Sequence, residues 1–366
     1  MNDYKKLIQK LIESKSLALN EYQQLIEAFS PEALEFIAPI ALRTKKAVYG
    51  DAIYIRGLIE ISNICKNDCL YCGIRASNAN CDRYRLSRDE ILSCCSEGYE
   101  LGFRTFVMQG GEDMHFTDEV MCDIIRSIKK QYPDCAVTLS LGEKSEESYQ
   151  KLYDAGADRY LLRHETADIG HYGKLHPDNL SLENRMKCLK NLKDIGFQVG
   201  CGFMVGSPYQ TTEHLAKDLK FIEEFKPHMC GIGPFIPHRD TEFADRKAGS
   251  VDLSCYLLAI IRLMHPGILL PATTALASLE NEGREKAILC GANVVMPNLS
   301  PMEQRAKYTL YNNKASLGTE AAEGLKALKE SFKKIGAEVV TARGDAKKQV
   351  IRNSEEVWCK SDKSDL

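Results

Sequence analysis

The spacing of apolar positions changes along the chain. Residues 1–48 carry apolar side chains such as Leu7, Leu11, Leu25 and Ile26 in a helical pattern, which predicts an N-terminal helical extension. From residue 49 onward, short β-rich runs alternate with amphipathic helical stretches. The runs Ala52–Ile61, Thr105–Gln109, Ala136–Leu141, Arg159–Glu165, Gln198–Val205, Met229–Gly233, Ile268–Thr273 and Asn293–Pro297 read as strands. Between them, Thr212–Phe225 places Leu215, Leu219, Ile222 and Phe225 on one helical stripe. Ser87 and Glu90 form a capping-box pair ahead of another helix. Strand signals alternating with helices predict an α/β fold, a parallel (β/α)8 barrel over 49–340. A doubly wound sheet is the alternative, but no Gly-rich dinucleotide fingerprint follows the first strand. Residues 341–366 are polar and lysine-rich and read as a C-terminal tail.

Charge narrows the partners. Lys plus Arg number 48 against 51 Asp plus Glu, so no basic excess exists to neutralise a phosphate backbone, and nucleic acid is not expected. No run approaches the ~18 apolar residues of a membrane span, and the opening MNDYKKLIQK has no apolar core of signal-peptide type. A cytoplasmic protein is expected. Fourteen cysteines in such a chain argue against a disulfide framework. Most should be small buried hydrophobes, as Cys94, Cys95, Cys188 and Cys290 look in their apolar surroundings.

Three cysteines stand apart. Directly after the first strand comes Ser62-Asn-Ile-Cys65-Lys-Asn-Asp-Cys69-Leu-Tyr71-Cys72-Gly73, a C-x3-C-x2-C run with an aromatic residue before the third thiol. Chance would produce this spacing in roughly 0.02 of chains this rich in cysteine. A structural zinc would want a fourth nearby ligand, and Cys81 has the wrong spacing. Three thiolates in one short loop can instead hold three irons of a cubane cluster, leaving the fourth iron open. At these residues the sequence resembles the radical S-adenosylmethionine (SAM) superfamily. The resemblance implies one 4Fe-4S cluster held by Cys65, Cys69 and Cys72. Its open iron would chelate SAM, and one electron would cleave SAM to methionine and a 5′-deoxyadenosyl radical.

The second strand ends in Gln109-Gly110-Gly111-Glu112-Asp113, whose plain reading is a tight turn and whose resemblance is to the superfamily's SAM-contacting Gly-Gly-Glu segment. In the fourth strand, period-two alternation puts Arg159, Leu161, Arg163 and Glu165 on one face. Charged groups aimed into a barrel lumen are costly unless a ligand or partners satisfy them. A polar substrate site is expected there, with a structural ion-pair network as the alternative. His164 falls on the opposite face, and the run His164-Glu-Thr-Ala-Asp168 lacks the second histidine of a zinc-protease helix.

Arg163-His-Glu-Thr-Ala, Glu183-Asn-Arg185, Gly231-Ile-Gly-Pro-Phe-Ile-Pro-His238, Pro271-Ala-Thr273-Thr274-Ala and Gly291-Ala-Asn-Val-Val-Met296-Pro-Asn298 together resemble the HydE family of FeFe-hydrogenase maturases, from about residue 50 to 312. Biotin synthase and methylornithine synthase are relatives that fit these later motifs less well. The resemblance implies that Tyr71, Gly110, Gly111, Glu112, Thr138, Glu165, Arg185 and Met229 surround SAM. Arg185 would pair its carboxylate and Glu165 its ribose hydroxyls. Arg159, Arg163, Thr273, Thr274, Met296 and Tyr308 would line a substrate cavity. Some family members carry a second C-terminal cluster, but residues 300–350 hold no cysteine, so none is expected in this chain. Cys359 stands alone.

The resulting expectation is a radical SAM enzyme acting in maturation of the diiron subcluster of FeFe-hydrogenase. Its substrate would be a small organometallic or cysteine-derived molecule. Partner maturases and an electron donor such as ferredoxin or flavodoxin are implied. A radical SAM mutase or synthase on a small amino-acid-like substrate is the second reading. A non-enzymatic iron–sulfur scaffold is the third, and it has no need of the inward charges or the Gly-Gly-Glu turn.

Overall fold

A computed structural model describes residues 3–315 and 321–347. Among the described residues eleven strands are assigned: β1 Ala52–Ile55, β2 Gly57–Ser62, β3 Thr105–Gly110, β4 Ala136–Ser140, β5 Arg159–Leu161, β6 Gln198–Cys201, β7 Met204–Val205, β8 Met229–Cys230, β9 Gly233–Pro234, β10 Val294–Val295 and β11 Glu338–Val340. A parallel sheet runs β2-β3-β4-β5-β6-β8. The ring then closes. His228 O accepts from Leu269 N–H at 3.0 Å, and Val294 O from Ala272 N–H at 2.8 Å. Pro297 O accepts from Leu58 N–H at 2.9 Å. These parallel bridges make 268–273 the seventh barrel strand and β10 the eighth, joined back to the first. The predicted (β/α)8 barrel is what the chain forms.

Each of the eight barrel strands is followed by helix before the next, as the alternating pattern requires. The cap at Ser87 forms as predicted: its Oγ accepts from Glu90 N–H, and Glu90 Oε2 accepts from Ser87 N–H at 2.7 Å. The helix Val251–Met264 is apolar nearly all round because it is covered on both sides, by the barrel and by the N-terminal helices. Those helices, Asp3–Ser14, Leu19–Glu27 and Pro31–Tyr49, belong to the same hydrophobic core as the barrel wall. No helix among the described residues is long and apolar enough to cross a membrane.

The region after Thr341 departs from expectation. Strand β11 pairs in parallel with β1, and the residues after it lie across the N-terminal end of the barrel. Arg343 Nη2 donates to Asp158 at 2.9 Å, and Asp345 accepts from Arg159 and from Gln198 Nε2 at 2.9 Å. Residues 341–347 therefore plug the barrel's base, held by charges that composition alone reads as a solvated tail. Residues 348–366, with Cys359, lie outside the described residues.

Candidate active site

The cysteine loop is held by side chains of its own segment. Arg83 donates to four carbonyls inside it: Asn63 at 2.6 Å, Ile74 at 2.8 Å, Arg75 at 2.6 Å and Asn78 at 3.2 Å. A bidentate Arg75–Asp68 pair, at 2.8 and 2.9 Å, braces the same turn. These contacts satisfy a long irregular backbone and hold Cys65, Cys69 and Cys72, all half-buried and free, in one loop at the C-terminal end of β2. Burial pushes the Cys72 thiol up to about 12 and raises Cys65 and Cys69 too. Such thiols become thiolates when a metal supplies the positive charge. No group of three or more His, Cys, Asp or Glu among the described residues converges on a single metal ion.

The turn after β3 presses against this loop. Glu112 N–H donates to Cys65 Sγ at 3.4 Å, and Lys66 N–H donates to Glu112 O at 3.1 Å. A side chain at Gly111 would put its Cβ 2.2 Å from Ile64 O and 2.7 Å from Cys65 Cβ. Glycine is needed there for close approach rather than for a special φ. The Glu112 carboxylate faces Lys66 Nζ at 3.2 Å and accepts from Glu143 N–H at 3.1 Å. It already sits opposite an ammonium, which is the partner chemistry expected of it. Beside it opens a cleft of about 620 Å³ bordered by Lys66, Gly111, Glu112, Leu141, Glu143 and Asn184, a volume in the small-ligand range.

Arg185 stands in the first turns of helix Leu182–Ile195, which Ser181 caps. Its Nη1 donates to Arg163 O at 2.6 Å and its Nε pairs with Glu143. Glu143 also accepts from Asn184 Nδ2 at 2.6 Å. Tyr71 lies edge-on to the His176 ring, and its hydroxyl is 3.3 Å from Nε2. Gly110 ends β3, and Cys65, Cys69, Cys72, Tyr71, Gly111, Glu112, Glu165 and Arg185 lie in the loops and helix starts at the C-terminal side of the barrel strands.

The expected continuous charged face of the fourth strand does not exist. Strand β5 ends at Leu161, and Arg163 and Glu165 follow in a loop where Glu165 takes φ +64°. Arg159 starts the strand and Arg163 lies four residues on, roughly 13 Å along an extended chain. Arg159 is at the base: Nη2 meets Asp345 Oδ1 at 2.5 Å and Nη1 donates to Thr105 Oγ1 at 3.0 Å. The structural ion-pair reading therefore holds for Arg159, and the grouping of Arg159 with Arg163 in one contact set is corrected. Arg163 is at the mouth, with Nη2 3.1 Å from Glu165 Oε2. That contact is an ion pair by distance only, since neither atom makes a hydrogen bond. Both remain available to a ligand.

Two residues expected around SAM stand on the barrel strands themselves. Thr138 and Met229 line a gap of about 10 Å³, room for roughly one water, together with Arg159, Arg56 and Leu161. Thr138 is in register with Arg159 on the neighbouring strand. Arg56 Nε, Arg159 Nε and Thr138 Oγ1 are buried there without partners. In so small a gap a single buried water is the acceptor that fits these donors. Met296 packs against the apolar group that contains Met229 and Leu269. Thr273 starts the short helix Thr274–Leu279, with its Oγ1 buried and unpartnered. Tyr308 is buried, and its hydroxyl accepts from Gln109 Nε2 at 3.4 Å.

Sequence reasoning overlooked several site residues. Arg56 and Glu60 are charged positions four apart in an otherwise apolar strand, the alternation that drew attention to Arg159 and Arg163. Glu60 is fully buried and meets Lys314, and its Oε2 accepts from Asn298 Nδ2 at 2.8 Å. Glu143 and Arg83 carry no local signal. Their importance arises from loops meeting across the barrel mouth.

Comparison with known proteins fits this geometry. The Radical SAM superfamily model matches residues 59–222, from the first barrel strand into the helix after the fifth. The [FeFe] hydrogenase maturase subunit HydE of Thermotoga maritima is 45% identical over 280 residues, covering 76% of this chain and 80% of that protein. The 3-methylornithine synthase of Methanosarcina acetivorans is 27% identical over 305 residues, covering 82% and 85% of the two chains. A crystal structure of methylornithine synthase (PylB) superposes with TM-score 0.80 at 24% identity, over 91% of this chain and 97% of that one, which speaks to the fold. A cysteine loop braced by Arg83, a glycine packed against it, and identity sustained across the barrel lead to one family. The chain is a radical SAM enzyme with a 4Fe-4S cluster and S-adenosylmethionine as its cofactors, and it belongs to the HydE family.

Proposed function

We propose that this chain is a maturase of FeFe-hydrogenase, acting on a small organometallic or cysteine-derived substrate during assembly of the diiron subcluster. The observation that carries the reading is 45% identity to HydE of Thermotoga maritima over 80% of that protein. When bound, the cluster and SAM supply reductive cleavage of SAM to methionine and a 5′-deoxyadenosyl radical. The protein's own residues bind, orient and exclude water.

Cys65, Cys69 and Cys72 would hold the cluster. Glu112 offers a carboxylate to the SAM ammonium, in place of or beside Lys66. Arg185, already charge-paired with Glu143, would add the SAM carboxylate to its donors. Its five N–H groups allow both contacts. Glu165 would accept from the ribose hydroxyls. Arg163, Thr273, Thr274, Met296 and Tyr308 would line the substrate cavity. Arg163, with Nε and Nη2 buried and without hydrogen-bond partners, suits an anionic substrate group. A ferredoxin- or flavodoxin-type electron donor and partner maturases belong to this reading, as does the reducing cytoplasm in which such clusters persist.

The test is anaerobic turnover of the reconstituted protein with SAM and a reductant. The cysteine-bound iron carbonyl–cyanide precursor should stimulate 5′-deoxyadenosine formation. Lysine, the type of substrate a methylornithine-forming mutase would use, and dethiobiotin should not. Stimulation by lysine with none by the precursor would move the chain to the mutase reading.

A further inference from the structure

Glu165 sits in a conformation that needs outside support. A φ of +64° in a residue with a side chain costs about 1 kcal/mol or more, and it persists only where the surroundings over-determine it. Two ties run to the neighbouring barrel strand. Glu165 N–H donates to Gly202 O at 3.0 Å, and Met204 N–H donates to Glu165 O at 3.3 Å.

The other ties come from outside the barrel wall. Asp218, in the helix Thr212–Phe225, accepts from Ala167 N–H through Oδ1 at 2.6 Å. The same oxygen lies 3.3 Å from His164 Nε2. His164 Nδ1 accepts from Gly202 N–H at 3.4 Å, so the neutral ring carries its proton on Nε2, which lies beside Asp218 without completing a hydrogen bond. Both side chains are 0% exposed. Burial pushes His164 down to about 3 and holds the Asp218 carboxyl well above the usual carboxylate range. Asp218 Oδ2 has no partner at all. A buried carboxyl with one oxygen unmatched is a costly way to pack a helix on a barrel. What it secures is the backbone on both sides of Glu165.

We propose that Asp218, together with His164, is a positioning pair that fixes Glu165 at the barrel mouth for its contact with the ribose of SAM. Neither residue reaches the mouth itself; they act through the backbone of residues 164–167. The inference rests on the placement of Glu165 against SAM and is independent of which substrate the radical attacks.

The test is SAM affinity of the anaerobically reconstituted holoenzyme, measured by equilibrium binding for Asp218→Leu, Asp218→Asn, Glu165→Gln and the Asp218→Leu/Glu165→Gln double variant. Asp218→Leu should weaken SAM binding about tenfold, roughly what one charge-assisted hydrogen bond carries. Asp218→Asn keeps an oxygen for Ala167 N–H and should recover most of that loss. The double variant should bind no more weakly than Glu165→Gln alone, because Asp218 acts only through Glu165. Iron content should stay at wild-type level throughout. Losses that add in the double variant, or wild-type affinity in Asp218→Leu, would overturn the positioning role. If Asp218→Leu does not fold, His164→Leu in the same cycle carries the same expectation. If Glu165→Gln binds SAM normally, the placement of Glu165 fails and takes the inference with it.

Discussion

Replacing Gly111 by alanine tests how tightly the Gly-Gly-Glu turn and the cysteine loop depend on each other. The added Cβ would stand 2.2 Å from Ile64 O and 2.7 Å from Cys65 Cβ. Stable carbon–oxygen approaches begin near ~3.3 Å, so one of the two loops must retreat by roughly 1 Å. Both partners are backbone or root atoms of the cluster loop, so no flexible side chain can yield instead. Overpacking of this kind costs about 1–3 kcal/mol, and a shift of about 1 Å at a reacting centre can cost 100-fold in rate. Gly110 is the internal control. Its added Cβ would meet Ser62 O at 3.1 Å, a contact that relaxes within a few tenths of an ångström. Under anaerobic conditions, with iron content measured alongside 5′-deoxyadenosine release, Gly111→Ala should lose roughly 10- to 100-fold in SAM cleavage. Gly110→Ala should lose less than about threefold, since a small adjustment absorbs the contact. Equal losses in the two variants, or wild-type cleavage in Gly111→Ala, would refute the packing argument.

Arg185→Ala should weaken SAM binding about ten- to a hundredfold in anaerobic calorimetry while the helix keeps its Ser181 cap, because a charge-assisted contact is lost. Unchanged affinity would reduce Arg185 to a structural partner of Glu143. Arg159→Leu and Arg163→Leu should separate: the first removes the partner of Asp345 at the plugged base and should lower stability by about 2 kcal/mol, a figure reduced for the half-exposed carboxylate. The second should melt normally and retain basal SAM cleavage, yet fail in hydrogenase maturation; denaturation curves and maturation assays would show the reverse if Arg163 were structural. In the Asp218→Asn background acid should weaken the fold early; in the wild-type chain the raised Asp218 carboxyl opposes that trend. His164 and His176 are buried and held near 3, against about 6.5 when unfolded, so the unfolded chain binds two protons that the folded chain refuses. Their contribution is complete above pH ~6.5 and falls below it, by about 1.4 kcal/mol each at pH 5.5. Denaturant titrations of Asp218→Asn at pH 7.5 and 5.5 that give equal stability would contradict the buried neutral histidines.

Much of the fold was legible because barrel strands are short and bounded by turns. All eight strand signals correspond to barrel staves, even where only single bridges form, as around Leu269 and Pro271. The cysteine loop was legible from spacing alone, because a cluster's ligands come from one local segment. What escaped was whatever depends on closure of the ring. Alternation placed Arg159 and Arg163 on one face, but β5 ends before Arg163 and the chain then turns through a left-handed residue. Period two stops where the ladder stops. The resemblance sets Thr138 and Met229 around SAM, and both stand on strands, in register with Arg159 and Gly200, where alternation alone gives no height in the barrel. The plug at Arg343 and Asp345 was read as tail because its charges find partners more than a hundred residues away. Arg83 shows the same limit: a lone arginine in a polar loop gives no hint that it ties four carbonyls together.

The central claim is that this chain performs the HydE step of FeFe-hydrogenase assembly. The most direct measurement is hydrogenase activity in a host lacking its own HydE, supplied with this chain or with its Cys69→Ala variant. The account predicts that the wild-type chain restores hydrogen production and that Cys69→Ala, present at equal level, restores none. Failure of the wild-type chain in that host, while the same protein cleaves SAM in vitro, would contradict the maturase assignment and leave only the radical SAM chemistry standing.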